Sequence, residues 1–534
     1  MKSKIVENWL TKVNELTFTI PFAQLLLSKG QRVIHISSQG PMEQGKDIIA
    51  VDDSGTIHCY QLKSGKINSR VWADIKAEID QLVELPPRHP SLNERVDNWE
   101  AYLVTNGSIA NPTARDIYDY AESKKNAGHR PLKTIVGGEL VADFTKYYDD
   151  FLPVDVVDLQ EFIELYNQPG DYELDVGKFK LFFEAFFHGR QNVSRQRMTE
   201  AVRASLILCS YLLTNKYAGQ NHLEIVKGYI LLLTSMYEFA ENQSLAESLW
   251  HDTENLIYEA VNLEFRQLID ELRSHPDNYL QLEYGALSEI LVYKIRCTEL
   301  FGYLTAYANY CSRAGIELYY PEDVDTAVAS LVKHARVLGE CTVPLFANHV
   351  IYLRLLSRDM EAAQELLAML IPTVVSHTGE NRGMPSPYYS IARSVEWVSG
   401  IGEEIREGFK WRSYSLWAVT LMAVRYQLRD ELNLLWRFLS RISQQEVVPA
   451  KPKDYLLWRF KEGEHVDRFP DATQSWAQLT AEAEKNYLHD LPPVLRQRIH
   501  FLPLFLNVMP HRFSHRFALT LFDAITRARD GGAR

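Results

Sequence analysis

The stretch QGKDIIAVDDSGTIHCYQLKSGKI, residues 44–67, contains an acidic residue and two β-like runs that are separated by a turn. Asp47 opens the first run, the turn falls at Asp52–Gly55, and the second run ends at Gln61 and Lys63. Because side chains alternate along a strand, Gln61 and Lys63 point to the same face. In a hairpin, Asp47 can lie opposite them, so the stretch predicts one polar cluster at the end of two paired strands.

This cluster contains the residue types that phosphodiester hydrolysis requires. The carboxylate of Asp47 can bind a hard divalent cation, and the amide oxygen of Gln61 can add a further ligand. The cation polarises the phosphate and lowers the pKa of a bound water, and the ammonium of Lys63 offsets the negative charge of the transition state. We take Asp47, Gln61 and Lys63 as candidate catalytic residues, with Asp47 and Gln61 as ligands of Mg²⁺ or Mn²⁺. The alternative is a plain hairpin whose polar residues face solvent.

The residues around this hairpin alternate between strand-like and helical patterns up to about residue 155. RVIHIS, AYLVTN and LKTIVG are β-branched or alternating runs, whereas FAQLLLSKG and WADIKAEIDQLVEL have helical spacing. PTARDIYDYAESKKNAG begins with a proline and ends near Gly128, which is typical of a helix. This alternation predicts a mixed α/β sheet.

The same segments resemble the Mrr-like restriction endonucleases, the branch of the PD-(D/E)xK nuclease superfamily in which glutamine replaces the middle acid. FTIPFAQLLLSKGQRV is similar to the first helix of that family and to the glycine that ends it. NWEAYLVTNGSIANPTARDIYDYA is similar to its strand, T-N-G turn and helix, and LKTIVGGELVADF is similar to its closing strand and G-x-E-L helix start. The resemblance covers residues 10–150 and implies a restriction-endonuclease-like fold and metal-dependent cleavage of DNA.

One position departs from the family pattern. The family commonly has a glutamate on the first helix that contributes to the metal site, and the alignment of motifs places Thr19 there. Glu15 lies one turn earlier and Gln24 one turn later. Glu15 or Glu43 can supply the missing carboxylate; otherwise Asp47 is the single acidic ligand, and the domain then binds Mg²⁺ weakly or only grips nucleic acid.

A second motif overlaps the hairpin. Residues 40–46, GPMEQGK, satisfy the GxxxxGK pattern of phosphate-binding loops. Asp47 follows where serine or threonine should reach Mg²⁺, and a strand-like run follows where the motif requires a helix N-terminus. We interpret the match as coincidence and keep nucleotide binding through Lys46 as a third hypothesis.

The strand signals nearly vanish after residue 190. Helical patterns recur there, and residues 321–339 predict one helix that runs from Pro321 to an end at Gly339. We therefore predict a multi-domain protein: an α/β nuclease domain (1–155), a connecting segment (156–189) and a large all-helical sensor or interaction domain (190–534). The helices come in pair-like units without a fixed period, so a helical repeat is a hypothesis.

Composition restricts the class of protein further. Of 534 residues, 46% are hydrophobic and 24% charged, and the five cysteines form no CxxC pair. This predicts a soluble cytoplasmic protein without structural zinc or disulfides, and no apolar run is long enough to span a membrane. The net charge of −12 excludes a uniformly basic surface, so DNA contacts require local patches.

The candidate nucleic-acid-binding residues are Lys66, Arg70, Arg190, Arg195 and Arg197. The tryptophan pairs Trp411/Trp417 and Trp436/Trp458 fit a helix core better than a base-stacking platform.

The favoured function is a Mg²⁺-dependent DNA endonuclease, which the resemblance places in prokaryotic restriction or antiphage defence. The helical domain would sense a trigger or bind a protein partner. Because the strands of a duplex run antiparallel and the chain has one D…QxK cluster, we expect a homodimer or a larger oligomer. The alternative is a helical scaffold with a degenerate domain that grips nucleic acid.

Overall fold

The structure is a computed structural model. It describes residues 2–37, 44–92, 96, 99–148, 156–191, 193–274, 287–355, 359–379, 383–400, 410–460 and 462–530. The described chain has a five-stranded mixed sheet near its N-terminus and a large helical part, which agrees with the predicted class of an α/β domain followed by helices. Among the described helices, none combines the length and the apolar character that crossing a bilayer demands.

The N-terminal α/β region alternates helices and strands as the sequence pattern predicted. Its helices are α1 (Lys2–Lys12), α2 (Glu15–Ser28), α3 (Ser69–Glu84), α4 (Asn111–Asn126) and α5 (Gly137–Tyr148). Its strands are β1 (Arg32–Ile36), β2 (Ile48–Val51), β3 (Ile57–Lys63), β4 (Trp99–Thr105) and β5 (Leu132–Ile135).

The sheet has the order β1-β2-β3-β4-β5. The pairs β1/β2 and β2/β3 are antiparallel, whereas β3/β4 and β4/β5 are parallel. One face of the sheet packs on the apolar side of α3, where Ile75, Ile79 and Leu82 are buried with Cys59 and Leu103. Because β3 and β4 are parallel, the segments that follow both strands lie at the same edge of the sheet.

Local signals explain where these elements begin and end. The side chain of Asn14 accepts a hydrogen bond from Thr17 N at the start of α2, and the side chain of Asn68 caps α3 in the same way. In the β2–β3 turn, Asp52 Oδ1 accepts hydrogen bonds from Ser54 N and Thr56 N, both at 2.9 Å. These caps and this turn agree with the predicted hairpin and its flanking helices.

The rest of the described chain is mostly helical. The helices up to residue 274 are α6 (Val156–Tyr166), α7 (Val176–His188), α8 (Arg195–Leu212), α9 (Thr214–Ala218), α10 (His222–Gln243) and α11 (His251–Ser274). They are followed by α12 (Leu287–Ala314), α13 (Pro321–Leu331), α14 (Val343–Leu355), α15 (Met360–Gly379), α16 (Ile391–Ser399), α17 (Leu416–Arg425), α18 (Arg429–Leu439), α19 (Trp476–Ala483), α20 (Pro493–Gln497), α21 (Leu502–Val508) and α22 (His515–Asp530).

The prediction that residues 190–534 are entirely helical is wrong. A second sheet joins β6 (Arg412–Ser413), β7 (Ser443–Pro449) and β8 (Gly463–Arg468) in that order. The sequences of these strands are short and polar, and β8 has a single apolar residue, Val466, so they lack the alternation that marks a half-buried strand. Antiparallel backbone pairing between β7 and β8, from Gln444 with Arg468 to Pro449 with Gly463, supplies the order instead.

The helix predicted for residues 321–339 is shorter than its pattern indicated, because α13 ends at Leu331. A last helix-like bond joins Ala335 N to Leu331 O at 3.1 Å. Arg336 N then donates to Thr298 Oγ1 of α12 at 3.0 Å. A side chain from a neighbouring helix therefore takes the place of the next helical hydrogen bond.

Packing divides the chain into two compact units. The first contains residues 1–236 and 243–264, and the second contains residues 237–242 and 265–534. The boundaries that the sequence indicated, at 155 and 189, both fall inside the first unit. Within this unit, Trp9 of α1 packs between Phe144 of α5 and Tyr211 of α8, with ring centroids 5.1 and 5.0 Å away. The predicted connecting segment forms α6 and α7.

Candidate active site

The β2–β3 hairpin places Asp47 directly beside Gln61. Ile48 pairs with Tyr60, and Asp47 N donates to Tyr60 O at 2.8 Å, so Asp47 and Gln61 occupy opposite positions on the two strands. Asp47 Oδ2 accepts hydrogen bonds from Gln61 Nε2 at 2.8 Å and from Leu62 N at 2.6 Å. The structure thus brings together the acid and the amide that the sequence singled out.

The ammonium of Lys63 lies between two glutamates. Its Nζ is 3.2 Å from Glu15 Oε1 at the start of α2 and 3.0 Å from Glu78 Oε2 in α3. Lys63 is largely buried, whereas Glu15 is half-buried and Glu78 is exposed. Three elements of the α/β region therefore converge on this side chain.

Burial and charge act in opposite directions on this group of side chains. Burial raises the pKa of Glu15, and the nearby ammonium of Lys63 offsets only part of that effect. For Lys63, burial alone would lower the pKa, but Glu15, Glu78 and Asp47 together raise it. Lys63 consequently stays positively charged at neutral pH.

Of the candidates for the missing carboxylate, Glu15 is the one that contacts the site. Thr19 is buried and its Oγ1 donates to Glu15 O at 2.9 Å, so it serves the helix backbone. Gln24 is fully buried away from solvent. Glu43 lies outside the described residues.

Glu78 is a site residue that the sequence analysis missed. It lies fifteen positions after Lys63, between the buried Ile75 and Ile79 on α3. Because α3 follows the hairpin and packs over it, residues at one side of its apolar stripe lie near the polar end of the hairpin. The signal available in the sequence was an acid beside the apolar stripe of that helix, but exposed helices commonly carry such acids.

One feature of the hairpin end fits a divalent cation, namely an amide oxygen to which no described residue donates a hydrogen bond. Gln61 Oε1 is buried and has no hydrogen-bond partner among the described residues, and buried amide oxygens normally have one. Because Gln61 presents its Nε2 to Asp47, the amide would have to turn over for its Oε1 to share a hard cation with that carboxylate.

Among the described residues, the three acidic or histidine side chains whose ligand atoms lie close together are not at the hairpin. In the part of the chain that is described, three acidic or histidine ligand atoms come within 4.8 Å of one another at Glu247, His251 and Glu254. His251 Nδ1 is 3.1 Å from Glu254 Oε2, at the start of α11. Any measurement of metal binding to the hairpin has to account for this group.

The T-N-G turn, Thr105-Asn106-Gly107, fixes the geometry of the site. Asn106 Oδ1 accepts from Gly65 N at 2.6 Å, just after Lys63, and Asn106 Nδ2 donates to Leu10 O and Val13 O at 2.9 Å, just before Glu15. One buried side chain therefore holds together the segments that carry Lys63 and Glu15.

The G-G-E-L start of α5 packs on the same turn. Gly137 N donates to Gly107 O at 2.8 Å. A Cβ on Gly137 would lie 2.4 Å from Asn106 O, whereas a Cβ on Gly138 would meet nothing within 4 Å. The first glycine of the pair is thus required by close backbone approach, and the second is not.

We expect Gly137→Ala to destabilise the α/β region, by about 1–3 kcal/mol, since the added methyl group forces two backbone segments apart. Gly138→Ala is the matched control, because it adds the same methyl group one residue away in open space and should be neutral or stabilise the helix by up to ~1 kcal/mol. Hydrogen–deuterium exchange in the α/β region compares the two variants. Equal exchange rates around Gly107 and Gly137 would contradict the proposed contact.

The predicted nucleic-acid-binding residues have different surroundings. Lys66 and Arg70 are exposed immediately after Lys63, at the start of α3, and Arg195 is exposed at the start of α8. Arg190 lies over the ring of Phe186 and donates to its carbonyl, and Arg197 Nη1 is 3.1 Å from Glu200. Lys66 and Arg70 are the members of this set that follow the candidate site in sequence and face solvent.

The described part of the GxxxxGK motif has a structural role. Lys46 is buried and donates to Gln44 O at 3.0 Å and Gln81 O at 3.4 Å; burial lowers its pKa to about 8. A strand, β2, follows it. Gly40 to Glu43 lie outside the described residues.

Comparison with known proteins gives no assignment. No protein-family model, no curated protein and no solved structure matches this chain.

Proposed function

We propose that the N-terminal region is a metal-dependent DNA endonuclease with Asp47, Gln61 and Lys63 at its active site. The observation that carries this proposal is the hydrogen-bonded pair of Asp47 and Gln61 at the hairpin end, with Lys63 on the same strand face and in contact with Glu15. A carboxylate that can bind a divalent cation and a charged lysine that can stabilise developing negative charge are groups that metal-dependent phosphodiester hydrolysis uses.

The order of the elements also supports the proposal of a restriction-endonuclease-like, Mrr-like fold. The helix α2 ends just before Gly30, whose φ of +83° favours glycine. The hairpin with D…QxK follows, then β4 with the T-N-G turn and α4, then β5 with the G-G-E-L start of α5. Each motif lies on the kind of element that the resemblance implies.

Different residues of the chain would have separate roles at the phosphate that is cleaved. Asp47, Gln61 and Glu15 would hold Mg²⁺ or Mn²⁺, which when bound polarises the phosphate and activates water. The ammonium of Lys63 would stabilise negative charge on the phosphate oxygens. Lys66 and Arg70 would bind backbone phosphates beside the cleaved bond, and Asn106 would position Lys63 against Glu15.

Cleavage of both strands of a duplex requires two such sites in opposite orientation. We therefore propose a homodimer or a larger oligomer as the active form. The helices that follow the α/β region would sense a trigger or bind a protein partner in restriction or antiphage defence.

The direct test uses the full chain and supercoiled plasmid DNA. We expect nicked and linear products with Mg²⁺ or Mn²⁺ and none with EDTA. RNA of matched length tests whether the substrate is DNA. A purified, folded chain that cleaves neither nucleic acid with either metal would refute the proposal.

One observation favours the alternative of a degenerate, nucleic-acid-gripping domain on a helical scaffold. Lys63 is paired with two carboxylates, and these reduce the positive charge it can offer to a phosphate. That alternative predicts DNA binding that is lost on charge removal at Lys66 and Arg70, without cleavage under any metal.

We expect Glu15→Gln to raise the metal concentration needed for half-maximal cleavage, because the amide is a weaker ligand for a hard cation than the carboxylate. Glu7→Gln, which changes an exposed glutamate of α1, is the control. His251→Ala in both backgrounds removes a ligand of the other acidic group. An unchanged metal titration in Glu15→Gln would remove Glu15 from the metal site.

A further inference from the structure

The second compact unit contains a pocket of about 230 Å³ that the proposed nuclease function does not use. Trp417 from α17, Gln444 from β7 and Glu482 from α19 line it. The remaining side is closed by Arg468, the last residue of β8, and by the segment after it, with Phe469, Pro470, Asp471 and Gln474. The volume lies below the ~300–1,000 Å³ of pockets for drug-sized ligands, so it has room for one heterocycle, and the rest of a larger ligand would extend out of the pocket.

The apolar walls of the pocket are aromatic. Trp417 is half-buried, and Phe469 leaves 64% of its surface exposed. Trp436 Nε1 donates to Asp471 O at 3.1 Å and so holds the segment that carries Phe469. The sequence had favoured a helix core for the tryptophan pairs. Trp458 is buried as that interpretation expects, whereas Trp417 lines an open pocket. A large exposed ring and an indole that line the same pocket are suited to stacking on a planar ligand.

The polar wall offers a hydrogen-bond acceptor. Gln444 is 5% exposed; its Nε2 donates to Ile442 O at 3.1 Å, but its Oε1 has no hydrogen-bond partner among the described residues. A buried oxygen without a donor is costly. A ligand N–H at this wall would satisfy it.

The described lining contains one cation, Arg468, together with the carboxylates of Asp471 and Glu482. The guanidinium of Arg468 is half exposed and lies 3.8 Å from Glu446 Oε2. Glu446 is already 2.9 Å from Arg516 Nε, which is the closer of its two guanidinium partners. Arg468 can therefore turn toward an anionic ligand group without leaving Glu446 unpaired.

We propose that this pocket binds a nucleobase, in the form of a nucleoside monophosphate. The base would stack between Trp417 and Phe469 and donate an N–H to Gln444, and Arg468 would bind the phosphate. An aliphatic ligand would leave the rings without a stacking partner, and a ligand without N–H groups would leave the Gln444 oxygen unsatisfied. The proposal does not depend on the nuclease function.

The test titrates the full chain with adenosine, guanosine, cytidine and uridine monophosphates and with the four nucleosides, by calorimetry and saturation-transfer NMR. We expect Phe469→Ala to weaken nucleotide binding by about fivefold to a hundredfold, as for loss of one base-stacking ring. Phe438→Ala, an exposed phenylalanine outside the pocket lining, should change nothing.

Two further variants identify the polar contacts. Gln444→Leu should weaken the binding of nucleosides and of nucleotides to the same extent. Arg468→Gln should remove the preference for the monophosphate over its nucleoside, with Arg441→Gln, an exposed arginine of the same unit, as control. Melting curves verify that each variant is folded. If none of the four monophosphates binds the wild type at millimolar concentration, or if binding persists unchanged in Phe469→Ala and Gln444→Leu, the proposal is wrong.

Discussion

Replacement of Asp47 by asparagine is expected to reduce metal-dependent DNA cleavage by about a hundredfold or more. The asparagine has the same shape and its oxygen can still accept from Leu62 N, so the hairpin should fold. What is lost is the negative charge that binds the cation; a loss of about 3 kcal/mol in transition-state stabilisation corresponds to roughly that factor in rate.

Asp53 in the same hairpin provides a matched control for the change at Asp47. Asp53→Asn removes an exposed carboxylate from the turn between β2 and β3 and makes the same change in net charge. We expect this variant to cleave at the wild-type rate, with both proteins showing the same circular dichroism and melting curve. Full activity of Asp47→Asn, or an equal loss in Asp53→Asn, would remove Asp47 from the active site.

Replacement of Asn106 by alanine is expected to destabilise the α/β region by about 3 kcal/mol or more. Three hydrogen bonds disappear, to Gly65 N, Leu10 O and Val13 O, and a buried group left without its partner costs about 1–3 kcal/mol. Because the chain has two compact units, one melting temperature is an incomplete measure. Hydrogen–deuterium exchange should instead show faster exchange in residues 8–16 and 63–68.

Asn126→Ala is the control for this experiment, since Asn126 is exposed at the last position of α4. The exchange pattern separates two outcomes. Faster exchange confined to the segments that Asn106 joins supports its positioning role, and the rate of cleavage should fall with it. Unchanged exchange in both segments would show that the turn does not hold Lys63 against Glu15.

The hairpin could be predicted from sequence because its information is local. Alternation fixes which side chains share a face, and the Asp52–Gly55 turn sets the register that places Asp47 opposite Gln61. Helix α4 was equally predictable from the sequence, because Pro112 marks its start and Gly128 lies just beyond its end. In these segments, residues close in sequence determine the structure.

The features that escaped prediction depend on tertiary contacts that no local sequence pattern marks. Glu78 reaches Lys63 only because α3 packs across the hairpin. The hydroxyl of Thr298, on another helix, accepts a hydrogen bond from Arg336 N, so the backbone after α13 does not continue as a helix. The strands β7 and β8 are ordered by pairing with each other. None of these partners is marked by spacing or periodicity.

The contact of Trp9 with Tyr211 limits how the α/β region can be produced or fused to other proteins on its own. A gene fragment that stops at residue 155 would encode every element of the five-stranded sheet, yet it would omit α8 and uncover one side of a fully buried indole. Ending the fragment at residue 236 would sever α10 and omit residues 243–264, which belong to the same compact unit. The α/β region therefore cannot be separated by a cut at either residue, and fusion proteins should retain the chain through residue 264.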